Sequence, residues 1–350
     1  MSETTNLVPV WIVYADGKRL DTAHEGALRR ITVNDRLSGA GTFSLLFDAA
    51  ETPVRSHGVL VPGSRIAIHL GYKDAVEEVF AGDVLGFRTE LSGRDSALIE
   101  VTGCNDLHRL HHGKHSRSFE KKTPAQIIRQ IAALYSLQAE VPDFGSEQEF
   151  TASCEETDLE FILRLAFFYG KEVYAWKSRL YADAEISVRQ DEIIYEWGKN
   201  LIEFEAEENF RGLSSAMTAA GWDSGKNEAF SAHAEPSAIP LCAGGSTHWT
   251  KLFRGDISFW EGFTADSRLK DAEDARAAAA AALGRDSFRF GQARGSGEGR
   301  PQLLPGMRVT IKAAGDAVSG EYITFAVRHR FDCSSGYRTD FTLKRNMSPC

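Results

Sequence analysis

Two stretches lying far apart in this 350-residue chain repeat one another, and that repetition constrains the fold more than any other feature. Pro62, Gly63, Arg65, Ile66 and Ile68 recur as Pro305, Gly306, Arg308, Val309 and Ile311. In each copy a Pro-Gly turn leads into a run with apolar residues at every second position, the period of a half-buried strand. A Gly-led strand follows, with Gly82, Val84 and Phe87 in the first copy and Gly320, Tyr322 and Phe325 in the second. Each copy then closes on a further alternating run, at 98–102 or 339–343. Pro-Gly before a strand is ordinary turn chemistry by itself. The agreement in the order of elements carries more information, and it predicts a duplicated β-barrel.

Between the copies the pattern changes period. Residues 1–112 read as short strands at 10–14, 31–33, 42–46, 65–70, 84–91 and 98–102, broken by Gly and Asp, as in a sandwich or barrel. From Thr123 the spacing turns helical. Thr123 is a cap, Pro124 occupies the first helical position, and Ile127, Ile131 and Leu134 share a face. A second helix starts at Thr157, where Glu160 completes a capping box. Leu159, Ile162, Leu163, Ala166 and Phe167 form its apolar stripe, and Gly170 ends it. Strands are expected at 172–176, 179–182 and 185–189, with Phe167, Phe168, Tyr169, Tyr174 and Trp176 in the core of this unit.

After residue 200 the β pattern resumes at 203–207 and 214–222. Residues 221–250, rich in Gly, Ser, Ala and Pro, read as a long loop or mobile hairpin. An Ala-rich helix is expected at 266–283, closed by Gly284. Residues 291–300, with four glycines, read as a flexible turn region before three final strands. The fold class expected is α+β, mainly β. Two β-barrel domains, 1–116 and 199–350, flank an inserted helix-containing α+β domain at 117–198.

Composition narrows the function. A 43% hydrophobic and 25% charged chain buries a sizeable core. The first ten residues lack the basic flank of a signal peptide, and the longest apolar stretch, near 161–169, is too short for a span. No direct membrane insertion is expected. Net charge is −9, with only short basic patches near 114–117 and 344–345, which disfavours sequence-specific nucleic-acid binding. Cys104, Cys154, Cys242, Cys333 and Cys350 are odd in number and scattered, without a CxxC pair, and read as free thiols.

Catalytic signals are sparse. His108, His111, His112 and His115 form the sharpest cluster, because i,i+4 pairs share a helix face and can hold a metal. Gly113 weakens a helix there and no HExxH is present, so the cluster reads first as a polar connector. No G-x-S-x-G or P-loop occurs. Glu155/Glu156 and Glu207/Glu208 are acidic pairs that nothing places across a cleft. No cofactor is expected. Trp249, Phe253, Phe259, Trp260 and Phe263 border the loop-rich stretch, and some of them are expected to be covered only when a partner docks.

Several blocks together carry a family likeness: Phe80 to Asp83, Val101 to Leu110, Phe119 to Ile128, Glu156 to Leu165 (E-T-D-L-E-F-I-L-R-L), and Gly320 with His329 and Gly336 to Thr339. In order and spacing they resemble the phage late control D and VgrG baseplate hub proteins over about residues 60–345. The resemblance implies a non-enzymatic, homotrimeric hub with two tube-type barrels per chain, forming a pseudo-six-fold ring between the hexameric tail tube and a trimeric spike. VgrG chains continue into a spike, whereas this sequence stops at Cys350, so a separate spike protein is expected. Strands 65–70 and 308–312, with Arg65, Ile66, Ile68, Arg308, Val309 and Ile311, are the candidate assembly positions in the annular wall. The middle domain would face baseplate wedge proteins. Assembly is expected in the bacterial cytoplasm, with the mature chain in a virion or injection-particle baseplate. The alternatives are a tail-associated peptidoglycan hydrolase and a secretion-system adaptor that loads an effector.

Overall fold

The computed structural model describes residues 8–48, 60–73, 75–92, 96–183, 192–223, 225–239, 247–266 and 268–348. The chain is α+β and mainly β. Its first part holds β1 (Pro9–Ala15), β2 (Lys18–Arg19), α1 (Thr22–Ala27), β3 (Leu28–Arg36), β4 (Thr42–Asp48), β5 (Arg65–Tyr72), β6 (Ala75–Ser92) and β7 (Ser96–Cys104). A 3-10 turn at Asp106–His111 leads to β8 (His115–Lys122), α2 (Pro124–Leu134), β9 (Gln138–Glu140), β10 (Gln148–Glu156), α3 (Asp158–Phe168), β11 (Glu172–Trp176) and β12 (Arg179–Asp183). The remainder comprises β13 (Ile193–Glu196), β14 (Leu201–Glu208), β15 (Ala216–Asp223), β16 (Glu228–Ala234), β17 (Thr247–His248), β18 (Glu261–Ala265), α4 (Ala272–Ser287), β19 (Gly291–Glu298), β20 (Arg308–Lys312), β21 (Gly320–Asp332), β22 (Gly336–Arg345) and β23 (Met347–Ser348).

A thirteen-stranded sheet joins the first and last parts. Its halves are laid out in the same order, β3-β4-β7-β6-β5-β1 and β14-β19-β22-β21-β20-β13. The repeated Pro-Gly turns make the same hydrogen bonds. Gly63 N–H donates to the Val84 carbonyl (2.8 Å) and Val84 N–H to the Ser64 carbonyl (2.9 Å). Correspondingly, Gly306 N–H donates to the Thr324 carbonyl and Thr324 N–H to the Met307 carbonyl (2.9 Å). Gly63 and Gly306 hold φ of +87° and +84°, a conformation that favours glycine.

Two β-bulges match as well, while a third, between Ile68 and His69 in the β5–β6 ladder, has no counterpart between β20 and β21. β6 shifts between Val84 and Gly86 and β21 between Thr324 and Ala326; β3 shifts between Leu28 and Arg30 and β14 between Leu201 and Glu203. One pairing differs: β1 runs antiparallel to β5, whereas β13 runs parallel to β20. A bulge bends a strand and increases its twist. Before its bulge β21 pairs with β20; beyond it, Ala326–Asp332 pairs with Arg36–Arg30 of β3, fusing the halves.

Alternation along these strands sends one face inward. Val33, Phe43, Val101 and Phe331 line the core of the first half, and Val327, Phe341 and Leu343 that of the second. Beneath the second half, His329 is 1% exposed. Its Nε2–H donates to the Leu303 carbonyl (3.1 Å), so its Nδ1 accepts from the Tyr337 hydroxyl (2.8 Å). That arrangement satisfies both nitrogens of a neutral ring.

The middle part packs α2 and α3 against β11 and β12 around Ile127, Ile131, Phe161, Ile162, Val173 and Leu180. Both helices start with capping boxes, Thr123 with Gln126 and Thr157 with Glu160. Strand 185–189 lies outside the described residues. Between β14 and β19 the chain inserts a separate layer, β16-β15-β18, with α4 on one face. Ala219, Ala234, Ala275 and Ala279 are buried between them, and such small side chains let the helix lie close to the sheet.

Four local expectations change. Phe167 is not in the core of the middle unit but 60% exposed, with the Arg285 guanidinium over its ring. The stretch at 291–300 is not a flexible turn, because β19 is paired on both sides, by β14 and β22. Its glycines are there for close approach: a Cβ on Gly297 would fall 2.3 Å from the Tyr195 ring, and one on Gly295 would fall 2.5 Å from Phe341. The Ala-rich helix begins at Ala272 rather than 266, because the Asp271 side chain caps Glu273 and Asp274. It also runs through Gly284 to Ser287, whose hydroxyl bonds the Leu283 carbonyl. The Gly-rich region after 216 includes a regular hairpin of β15 and β16, while residues 240–246 lie outside the described set.

Burial lowers the His329 pKa from 6.5 to about 4. The folded state therefore binds fewer protons than the unfolded state between these values, so stability is complete above pH 6.5 and is lost as pH falls toward 4. The loss amounts to roughly 3 kcal/mol. Urea titrations of the parent and of His329→Gln across pH 7 to 4 should differ in slope by this contribution, because His248, lowered to about 4, and Asp35, raised to about 7, titrate in both.

Candidate assembly surface

The face of the wall opposite the core is polar along its whole width. Across eight strands, β14-β19-β22-β21-β3-β4-β7-β6, register aligns Glu205, Arg294, Thr342 and Ala326 in one row. Arg338, Arg330, Thr32, Ser44 and Thr102 form another. Ion pairs knit this face together: Arg30 to Asp332 (2.9 Å), Arg330 to Asp340 (3.7 Å) and Arg29 to Asp48 (3.0 Å). The Arg328 guanidinium donates to Asn34 (2.7 Å) and Ser44 donates to Glu100. Exposed pairs of this kind contribute about 0–1 kcal/mol each. They fix side-chain positions on a wet surface more than they stabilise it.

The candidate positions from the repeat divide by alternation. Ile66, Ile68, Val309 and Ile311 are buried in the protomer's own cores, so a substitution there acts through folding before it reaches any neighbour. Arg308 is exposed. Arg65 is the centre of a charged junction. Its guanidinium donates to both Asp106 oxygens (2.7 and 2.8 Å), to Asp83 (3.1 Å) and to Ser178 in the middle part (2.8 Å). Asp83 also accepts from Arg109 (2.8 Å) and contacts His108 (2.9 Å). Burial by itself pushes the Asp83 carboxyl up, but the hydrogen bonds from His108, Arg109 and Arg65 outweigh it and hold the pKa below the usual range.

This junction also accounts for the histidine cluster. His108 lies 3.3 Å from His112 and is engaged by Asp83. His111 ends the 3-10 turn and His115 starts β8. Among the described residues, no three His, Cys, Asp or Glu side chains are arranged to hold a metal ion. Among the described residues, too, no helix is long and apolar enough to cross a membrane. Cys104, Cys154 and Cys333 are free thiols, and Cys242 and Cys350 lie outside the described residues.

The E-T-D-L-E-F-I-L-R-L block is a structural device. Thr157 and Glu160 cap the helix, and Glu156, just before the cap, pairs with Arg164 within the helix. Asp158, fully buried, accepts two bonds from Arg117 (2.8 and 2.7 Å) and one from Tyr135 (2.6 Å). Burial raises its pKa, while Arg117 and Tyr135 lower it more, so the carboxylate stays ionised. Sequence reasoning found the cap but missed the ion pair, because Arg117 stands on a different strand. Of the border aromatics, Trp249 is buried beside Phe290 and stacks on Trp260, and Phe253 lies tilted against Trp260. Phe259 and Phe263 remain 87% and 69% exposed.

Arg117→Ala would leave the Asp158 carboxylate buried without its cation, at a cost of about 3–5 kcal/mol. Urea unfolding of the purified variant should show that loss, and Arg117→Lys should recover part of it.

No curated protein matches the chain. Solved structures share its fold. The 43 kDa tail protein of prophage MuSo2 from Shewanella oneidensis is 16% identical, with a TM-score of 0.69 over 97% of this chain and 98% of that one. The tail protein from Neisseria meningitidis MC58 is 12% identical, with a TM-score of 0.68 over 97% and 96%. The E. coli c3393 protein, a component of the type VI secretion system, is 12% identical, with a TM-score of 0.61 over 92% and 75%. At these identities the likeness is one of fold, the fold of phage tail proteins. A family model matches residues 46–332, and the chain belongs to the family it describes, that of the Alg8 N-terminal domain.

Proposed function

We propose that the chain is a structural hub subunit of a contractile phage tail or a related injection machine, with no catalytic role. The observation that carries this reading is the pairing of β21 with β3 inside a sheet whose halves repeat one strand order. One chain then contains two copies of one wall unit, already joined side by side. Repetition of that join between chains closes a ring if the rotation permits, and three chains supply six quasi-equivalent units. The polar face would line the bore, and the apolar face is mostly buried within each chain, with Leu91 exposed near the free edge of β6.

In this reading residues 1–116 and 199–350 are the two wall units, the second completed by β13 at Ile193–Glu196, and the rest of 117–198 is an outward unit facing baseplate wedge proteins. The ring would meet a tail tube ring on one side and a separate trimeric spike on the other. The late control D and VgrG resemblance supports these partners, and the fold shared with tail proteins supports the general role. Assembly would take place in the bacterial cytoplasm and end in the baseplate.

Native mass spectrometry of the purified chain should give three copies. A zymogram on peptidoglycan should show no clearing. A strict monomer, or a cleared band at this chain's position, would overturn the hub reading.

A further inference from the structure

The junction around Arg65 contains a pair of histidines that the hub reading leaves without a role. The 3-10 turn at Asp106–His111 is anchored by Leu107 and Leu110, both fully buried, and by Asn105, whose side chain accepts from the Leu107 N–H (3.2 Å). That anchoring sets His108 against β6, where its Nε2 meets the Asp83 carboxylate at 2.9 Å. Asp83 also accepts from Arg65 and Arg109, and the three partners keep it ionised. An ionised carboxylate only accepts. The hydrogen of a neutral His108 ring therefore sits on Nε2, and Nδ1 carries a lone pair.

That lone pair faces a second histidine. His112 is exposed, and its Nε2 lies 3.3 Å from His108 Nδ1. The rings do not stack: their planes are 87° apart with centroids at 5.4 Å, so the two nitrogens are the atoms that approach. Nitrogens bound at about 2.0–2.1 Å to one tetrahedral zinc ion are themselves about 3.3–3.4 Å apart. The pair already has that spacing. A histidine ligand whose other nitrogen donates to a carboxylate is the usual arrangement at metal sites, because the carboxylate fixes the tautomer and the ring orientation. Charge at the junction is balanced as well, with Arg65 matched by Asp106 and Arg109 by Asp83.

We propose that His108 Nδ1 and His112 Nε2 together bind one divalent transition-metal ion of the zinc class. Imidazole suits Zn2+, Ni2+ and Cu2+, whereas the hard ions Mg2+ and Ca2+ take oxygen ligands. Among the described residues no set of three His, Cys, Asp or Glu surrounds the pair. Water fills the other positions, and the ion exchanges with solvent. It replaces the hydrogen that otherwise bridges the two rings, and it fastens the end of the 3-10 turn to β6 by way of His108 and Asp83. The site lies within a single chain and does not rest on the ring reading.

The test is calorimetric titration of the full-length chain with zinc chloride in slightly alkaline buffer, with magnesium chloride as the control. Zinc should bind with one ion per chain, and magnesium should give no heat of binding. His112→Ala changes an exposed side chain and should melt like the parent without metal. It should nevertheless weaken zinc by roughly tenfold or more, since loss of even an outer-shell partner costs that much. His111→Ala and His115→Ala, in the same stretch but outside the pair, should bind zinc like the parent. With Cu2+ in place of zinc, electron paramagnetic resonance should show two imidazole nitrogens in the parent and one in His112→Ala. A parent that takes up no zinc leaves the contact a hydrogen bond and overturns the site. Equal weakening by all three alanine variants, or none by His112→Ala, overturns it too, because zinc would then be held by the stretch at large.

Discussion

Much of the structure depends on one strand serving two masters. β21 gives its first half to β20 and its second half to β3, and the change of partner occurs at the bulge between Thr324 and Ala326. A regular strand presents one straight edge and cannot turn from one neighbour to another without such a bend. The Gly306–Thr324–Met307 hydrogen bonds hold the strand just where it bends. β6 carries the same device at Val84 and Gly86, which makes the chain two versions of one object rather than two unrelated domains.

The rest of the chain is fastened to that sheet by charge as well as by packing. Arg65 joins the first half, through Asp83 and Asp106, to Ser178 of the middle part. Arg117 and Asp158 do similar work inside the middle part, tying β8 to the first turn of α3. Buried ion pairs are costly to desolvate and costlier still to break, so they specify one arrangement rather than adding much stability. In the E-T-D-L-E-F-I-L-R-L block the charges therefore hold the helix in place, Asp158 through Arg117 and Glu156 through Arg164.

The repeat, the Thr123 cap and the Thr157–Glu160 capping box were legible in the sequence because each depends on residues close together in the chain; that Gln126 completes a second box was not. Pro62 and Gly63, or Thr157 and Glu160, state their local geometry themselves. The strand at Gly291–Glu298 was not legible. Its glycines look like flexibility until Tyr195 and Phe341 are placed over them. The start of α4 was misplaced because Asp271 outcompetes the earlier Asp266 as a cap, and Asp266 instead pairs with Arg268. For the assembly positions, period alone separated Arg308 from Val309 and Ile311. Which face would meet a neighbour required knowing where the sheet ends, a property of the whole topology.

The β3–β21 join also sets a timetable. β3 emerges early in synthesis, while its partner at Ala326–Asp332 comes near the end of the chain. At translation speeds of about 5–20 residues per second, roughly 15–60 s separate the two. Throughout that interval the nascent first half can complete its own core around Val33, Phe43 and Val101 while β3 still offers an unoccupied edge. The same edge is a ready template for another nascent chain on a neighbouring ribosome. A chain built this way gains by folding its last hundred residues quickly, and its most hazardous competitor during synthesis is its own sibling.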